Sequence, residues 1–162
     1  MAINVSSKQL MEEEFTDKLL QILENYQIPK QDFEIEITEN IQLETNSMIH
    51  ETLAKLSSYG ISIAIDDFGT GYSSLYYIRE LPINRIKIAK ELIDHIDHDI
   101  YAKSIVQMVI SVAKVNNKKV IAEGVEQWEC LKEMECDEIQ GYLFSKPLVP
   151  NELEKNWFRN NE

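Results

Sequence analysis

The chain reads as an α/β protein built on a parallel sheet of about six strands, and three observations predict this. Short apolar runs alternate with stretches of helical periodicity along all 162 residues, the layout of βα units. The segments between successive runs are long enough for the crossover that parallel neighbours require. Polar side chains also fall at or near the C-terminal ends of the runs: Asn4, Glu36, Glu39, Asp66, Asp67, Lys87, Glu123, Glu126 and Gln140. In a closed βα barrel those ends share one rim, where such folds carry their chemistry.

The first strand is Ile3, Asn4 and Val5, running into Ser6 and Ser7. A helix follows in which Phe15, Leu19, Leu20, Ile22, Leu23 and Tyr26 recur near the helical period, and Pro29 ends it. Residues 33–37 alternate apolar and acidic, and Thr38, Glu39 and Asn40 close that strand with oxygen donors. The next helix places Ile49, Leu53, Leu56 and Tyr59 on one face, with Gly60 as its stop.

The central strand, residues 61–65, is rich in isoleucine, as a strand buried on both faces is. It stops at the adjacent carboxylates Asp66 and Asp67. Gly69 and Gly71 then let the chain turn and bring backbone N–H groups close to a ligand, and Ser73 opens a helix. Strand, paired acids, glycine turn and helix suit a site for phosphate and metal. Taken by itself, the stretch fits an ordinary βα turn with solvated acids equally well.

Residues 73–79 are expected to form a short helix before Pro82, residues 85–88 a fourth strand with Lys87 near its end, and residues 91–99 a charged helix or loop. Tyr101, Ile105, Val106, Met108, Val109, Val112 and Ala113 are expected on the apolar face of the longest helix, which Asn116 and Asn117 end. Residues 119–122 make a fifth strand that delivers Glu123, Gly124, Val125 and Glu126. A helix over 128–134, a sixth strand within 137–144 with Gln140 beside Gly141, and a final helix over 150–160 complete the pattern. Trp128 and Trp157 read as packing residues, and His50, His95 and His98 as surface residues off the rim.

One domain over residues 1–162 is expected, able to bury roughly 70% of its unfolded surface. A formal net charge of −12 argues against non-specific binding to polymeric nucleic acid, because no basic stripe meets a phosphate backbone. A phosphate ligand would need divalent cations between itself and the protein. No apolar run approaches the ~20 residues that span a bilayer, and the start lacks the layout of a signal peptide, so a cytosolic location is expected. Cys130 and Cys136 have no histidine at zinc-like spacing and are expected to be reduced, partly buried thiols.

Several blocks share one order and spacing: Asn4-Val5-Ser6, Glu36-Ile37-Thr38-Glu39, Asp66-Asp67-Phe68-Gly69-Thr70-Gly71-Tyr72-Ser73, Leu81-Pro82 with Ile86-Lys87-Ile88, Ala122-Glu123-Gly124-Val125-Glu126, and Gln140-Gly141-Tyr142 with Lys146-Pro147-Leu148. Together they resemble the EAL family of bacterial cyclic di-GMP phosphodiesterases over essentially the whole chain. The resemblance implies an incomplete TIM-like (β/α) barrel with about six of eight strands. It also implies two Mg2+ or Mn2+ ions and hydrolysis of one phosphodiester of cyclic di-GMP to linear pGpG.

Carried over by position, the resemblance makes Asn4, Glu36 and Asp66 ligands of a first metal, with Asp66 also reaching a second that Asp67 and Glu123 complete. Lys87 would orient or deprotonate the attacking water. Glu126 and Gln140 would line the site near water and ligand, and Glu39 would hold the loop 68–74. Tyr72 would contact the ligand or a neighbouring subunit. Hard oxygen donors without His or Cys agree with Mg2+ or Mn2+.

The sequence departs from the family pattern in three ways. The Glu-Ala-Leu motif lies on a strand earlier than Asn4, so the chain is expected to be the C-terminal part of the barrel, without the glutamate that this motif gives the first metal. Ala89 stands where the family has Asp, and Asn84 where Asp is common. Two expectations follow: weak or absent turnover by this chain alone, and a homo-oligomer, such as a dimer, or pairing with a chain that carries the missing strands, through the open side where unpaired strand edges lie. A degenerate domain that binds cyclic di-GMP without cutting it, or that only contacts other proteins, is the alternative.

Overall fold

Six parallel strands pair in chain order in the computed structural model, which describes residues 1–39, 47–70, 77–125 and 128–158. They are β1 (Ala2–Asn4), β2 (Glu34–Thr38), β3 (Ser62–Phe68), β4 (Arg85–Ile88), β5 (Lys119–Ala122) and β6 (Glu138–Ile139). Sequential order in a parallel sheet is the order of a barrel wall, and this wall is open between β1 and β6. The α/β class and six strands agree with the sequence; β6 is only two residues long.

The helices are α1 (Ser7–Leu10), α2 (Phe15–Asn25), α3 (Ser47–Ser58), α4 (Lys90–Ile93), α5 (Ile100–Val115), α6 (Glu129–Glu133) and α7 (Pro150–Leu153). Of these, α2, α3 and α5 cover the apolar side of the sheet. Ile35 and Ile37 on β2, Ile63 and Ile65 on β3, and Ile86 and Ile88 on β4 are buried in one core with Leu19 and Leu23 of α2, Leu53 and Leu56 of α3, and Val106 and Val109 of α5. Because side chains alternate along a strand, Glu34, Glu36 and Lys87 take the opposite face. The alternating β2 and β4 sequences thus set which side of the wall is polar.

Several elements differ from expectation. The core face of α5 is Ala102, Val106, Val109, Ile110 and Ala113, whereas Tyr101 and Met108 are 72% and 47% exposed. This helix is apolar around most of its circumference, so periodicity alone does not choose a face. Ile22 of α2 and Tyr26, which caps its C-terminus, are likewise exposed. Trp128 is 43% exposed, with Lys132 Nζ 5.0 Å from its ring centroid, so it is not a core packing residue. Of the helix expected over 73–79, only a 3-10 turn at Tyr77–Arg79 falls within the described residues. The tail is α7 followed by a π-helical turn, Glu154–Phe158.

Cys130 and Cys136 are free, partly buried thiols, and His95 and His98 are exposed after α4. Among the described residues no helix is long and apolar enough to cross a membrane.

Candidate active site

The site begins with an irregularity in β3. Its pairing with β4 shifts register between Ile65 and Phe68, and Asp67 adopts φ 54. A regular strand would send neighbouring side chains to opposite faces, whereas a bulge re-aims one of them. Aspartate tolerates the left-handed region better than most residues. The outcome is that carboxylate oxygens of Asp66, Asp67 and Glu123 all lie within 4.8 Å of one another.

Lys87 stands at the centre. Its Nζ lies 2.8 Å from Glu36 Oε1, 2.9 Å from Asp66 Oδ1 and 2.9 Å from Glu123 Oε1. These partners come from β2, β3 and the segment after β5, and Lys87 itself is 4% exposed. Burial works against its charge, but hydrogen bonds to Glu36, Glu123 and Asp66 outweigh it and hold the amine well above its ordinary value, as an ammonium. Glu123 does not gain equally. Burial pushes its carboxyl above the usual range despite Lys87, with Asp66 and Asp67 adding to the rise. One ammonium shared among several acids cannot neutralise them all, and the surplus negative charge attracts cations.

Glu39 is buried at the end of β2, where Oε2 accepts the Gly69 N–H at 2.8 Å and its own N–H donates to Asp66 O at 3.1 Å. Gly69, at φ +101, supplies a turn that a side chain would strain. Asn4 is exposed at the end of β1 and pairs in register with Glu36, so it lies on the polar face beside it.

Gln140 follows β6, and its backbone bonds to Ala122 O and Val125 N–H at 2.8 and 3.1 Å. Gln140 lines a recess of about 600 Å3 with Tyr142 and Lys146, and Asp66, Asp67 and Glu123 are not among its lining residues. Tyr72 and Glu126 lie outside the described residues.

Sequence reasoning missed a second polar layer on the same face. Arg85 Nη1 lies 2.7 Å from Glu34 Oε2, which also accepts from Ser62 Oγ at 2.6 Å, and Arg85 Nε lies 3.3 Å from Glu138 Oε2. The signal was spacing: Glu34 and Arg85 sit two residues before Glu36 and Lys87, hence one layer below them on one face. Of the departures, Asn84 accepts the Ile63 N–H through Oδ1 at 3.0 Å. Ala89 is the buried N-cap of α4 and provides no side-chain acceptor there.

The EAL domain model matches residues 1–147. Signaling protein YkoW of Bacillus subtilis (strain 168) is 38% identical over 158 residues, which cover 96% of this chain and 20% of YkoW. Cyclic di-GMP phosphodiesterase PA2567 of Pseudomonas aeruginosa is 35% identical over 162 residues, 98% of this chain and 27% of that protein. A solved manganese and cyclic di-GMP complex of Klebsiella pneumoniae BlrP1 superposes with a TM-score of 0.84 at 30% identity, covering 90% of this chain and 38% of BlrP1. The chain thus spans 20 to 27% of the length of the first curated relatives it matches. With the EAL domain model covering residues 1–147 of 162, this chain belongs to the EAL domain family.

Proposed function

We propose that residues 1–162 form one domain, the C-terminal part of an EAL barrel, which binds cyclic di-GMP at the Lys87 face and hydrolyses one phosphodiester to pGpG with two divalent cations. The observation that carries this reading is the convergence of Glu36, Asp66 and Glu123 on a single ammonium, with Asp67 alongside. The donors fit the ions: they are all oxygen, and the spacing of Asp66, Asp67 and Glu123 lets one hard cation bridge them. Asn4, Glu36 and Asp66 would hold one Mg2+ or Mn2+, and Asp66, Asp67 and Glu123 the other. When bound, the pair supplies charge stabilisation for attacking and leaving oxygens of an in-line displacement.

The chain's own residues set the rest. Lys87 is an ammonium in a cage of acids, which favours orienting a water over taking its proton. Glu39 pins Gly69; Tyr72 and Gln140 are assigned to ligand contact and Glu126 to the surroundings of the water, with Tyr72 and Glu126 outside the described residues. Surplus negative charge makes the cations necessary for an anionic dinucleotide to approach, and the same charge excludes polymeric nucleic acid. The reaction belongs in the cytosol.

Turnover by this stretch alone is expected to be weak, because the family pattern assigns the first metal a further glutamate on a strand outside it. Ala89 favours a second reading, a domain that binds the dinucleotide without cutting it. Incubation with Mn2+ and cyclic di-GMP should yield pGpG, faster in a chain extended by the glutamate-bearing strand, and a chelator should stop it. No product from either chain would overturn the phosphodiesterase reading; heat of cyclic di-GMP binding in calorimetry would then support the second.

The open side also carries exposed apolar residues: Met1 and Ile3 at β1, and Leu143 and Phe144 after β6. Unpaired edges of this kind favour self-association. Sedimentation at micromolar concentration is expected to show an oligomer, and a monodisperse monomer would refute it.

A further inference from the structure

Helix α4 is a single turn without a side-chain cap, too short to hold its shape by its own hydrogen bonds. Its contacts explain its place. A methyl group at Gly69 would overlap Leu92 Cδ1, and one at Gly124 would overlap Lys90 Cγ and lie 2.6 Å from Lys90 Cδ. The two glycines belong to different walls of the site, Gly69 just beyond Asp66 and Asp67, and Gly124 next to Glu123. Backbone bonds anchor both segments to the end of β4, with Ala89 N–H donating to Phe68 O and Glu123 N–H to Ile88 O, each at 3.1 Å. Four residues of helix are therefore wedged between the two segments that bear the clustered carboxylates.

We propose that α4 is a spacer, in which Leu92 and Lys90 are positioning residues that fix the gap between the Asp66 and Asp67 carboxylates and Glu123. This rests on the reading that the gap receives a cation. Neither side chain touches the ion; each sets a loop. The gap width matters because Mg2+ and Mn2+ sites need shorter, stricter oxygen distances than Ca2+ sites do, with Mg2+ at about 2.0–2.1 Å against about 2.3–2.6 Å for Ca2+. A loosened spacer should then cost Mn2+ more than Ca2+, a difference that general destabilisation does not produce.

The test is calorimetric titration of the chain with Mn2+ and with Ca2+, for the unaltered protein and for Leu92→Ala, Leu92→Met, Lys90→Ala and Asp66→Asn. Leu92→Ala is expected to weaken Mn2+ binding by about 10–100-fold while changing Ca2+ binding by less than about threefold, with Leu92→Met restoring the preference. A folded Leu92→Ala chain that binds both ions as before, or loses both equally, overturns the spacer. If Leu92→Ala does not fold, Lys90→Ala, whose side chain is exposed, is judged by the same criterion. An unaltered chain that takes up no Mn2+ overturns the metal reading and the spacer with it. Mn2+ uptake abolished by Asp66→Asn but indifferent to Leu92 and Lys90 overturns the spacer alone.

Discussion

Lys87→Met is expected to lower the melting temperature by about 10 °C at neutral pH, and added Mn2+ is expected to restore part of the loss. The ammonium is the shared countercharge of Glu36, Asp66 and Glu123, all of them more than four-fifths buried. Removing one partner from a buried charge cluster costs about 3–5 kcal/mol, and each kcal/mol moves the midpoint of a domain this size by about 2–4 °C.

The pH dependence follows from the directions of the shifts. Lys87 has its folded pKa raised above its ordinary value of 10.5, so its contribution is complete below that value and is lost only as pH rises beyond it. The carboxyl of Glu123 is also raised, chiefly by burial, so its charged form opposes folding and that penalty is relieved as pH falls. The difference between variant and parent should therefore narrow as pH falls from neutral. Thermal unfolding followed by circular dichroism, with and without Mn2+, reads both effects. Equal melting of the two proteins would sink the countercharge role.

Asp66→Asn is expected to weaken Mn2+ binding by at least about 100-fold and to remove conversion of cyclic di-GMP to pGpG, with little loss of stability. Asp66 belongs both to the acids around Lys87 and to the cluster with Asp67 and Glu123. Asparagine keeps a carbonyl oxygen for Lys87 Nζ and for the Asp67 N–H, which now donates to Asp66 Oδ1 at 3.1 Å. The change removes charge more than shape. Tight Mn2+ binding by this variant would deny Asp66 the role of shared ligand.

What could be read in advance followed local periodicity. The alternation in Phe33-Glu34-Ile35-Glu36-Ile37 and the isoleucine run before Asp66 fixed two strands and their faces, and the motif blocks marked the family. Features that depend on other parts of the chain stayed hidden. That Lys87 meets three acids at once depends on how far the wall curves, which no local pattern encodes. The left-handed turn at Asp67 arises from a register shift against β4. On the expected α5 face, Ile105, Val106, Val109, Val112 and Ala113 do face the core, and only Tyr101 and Met108 turn outward. Arg85, Glu34 and Glu138 each look like ordinary solvated charges until the sheet brings them to one height.

The ion pair from Arg85 to Glu138 links the fourth strand to the sixth and skips the fifth. It works as a chord beneath an arc. The contact is an ion pair between partly exposed side chains and not a hydrogen bond, so it ties the two strands by charge alone. Its loss would leave Glu138 with Lys119, on the strand between them, as its remaining ion-pair partner among the described residues.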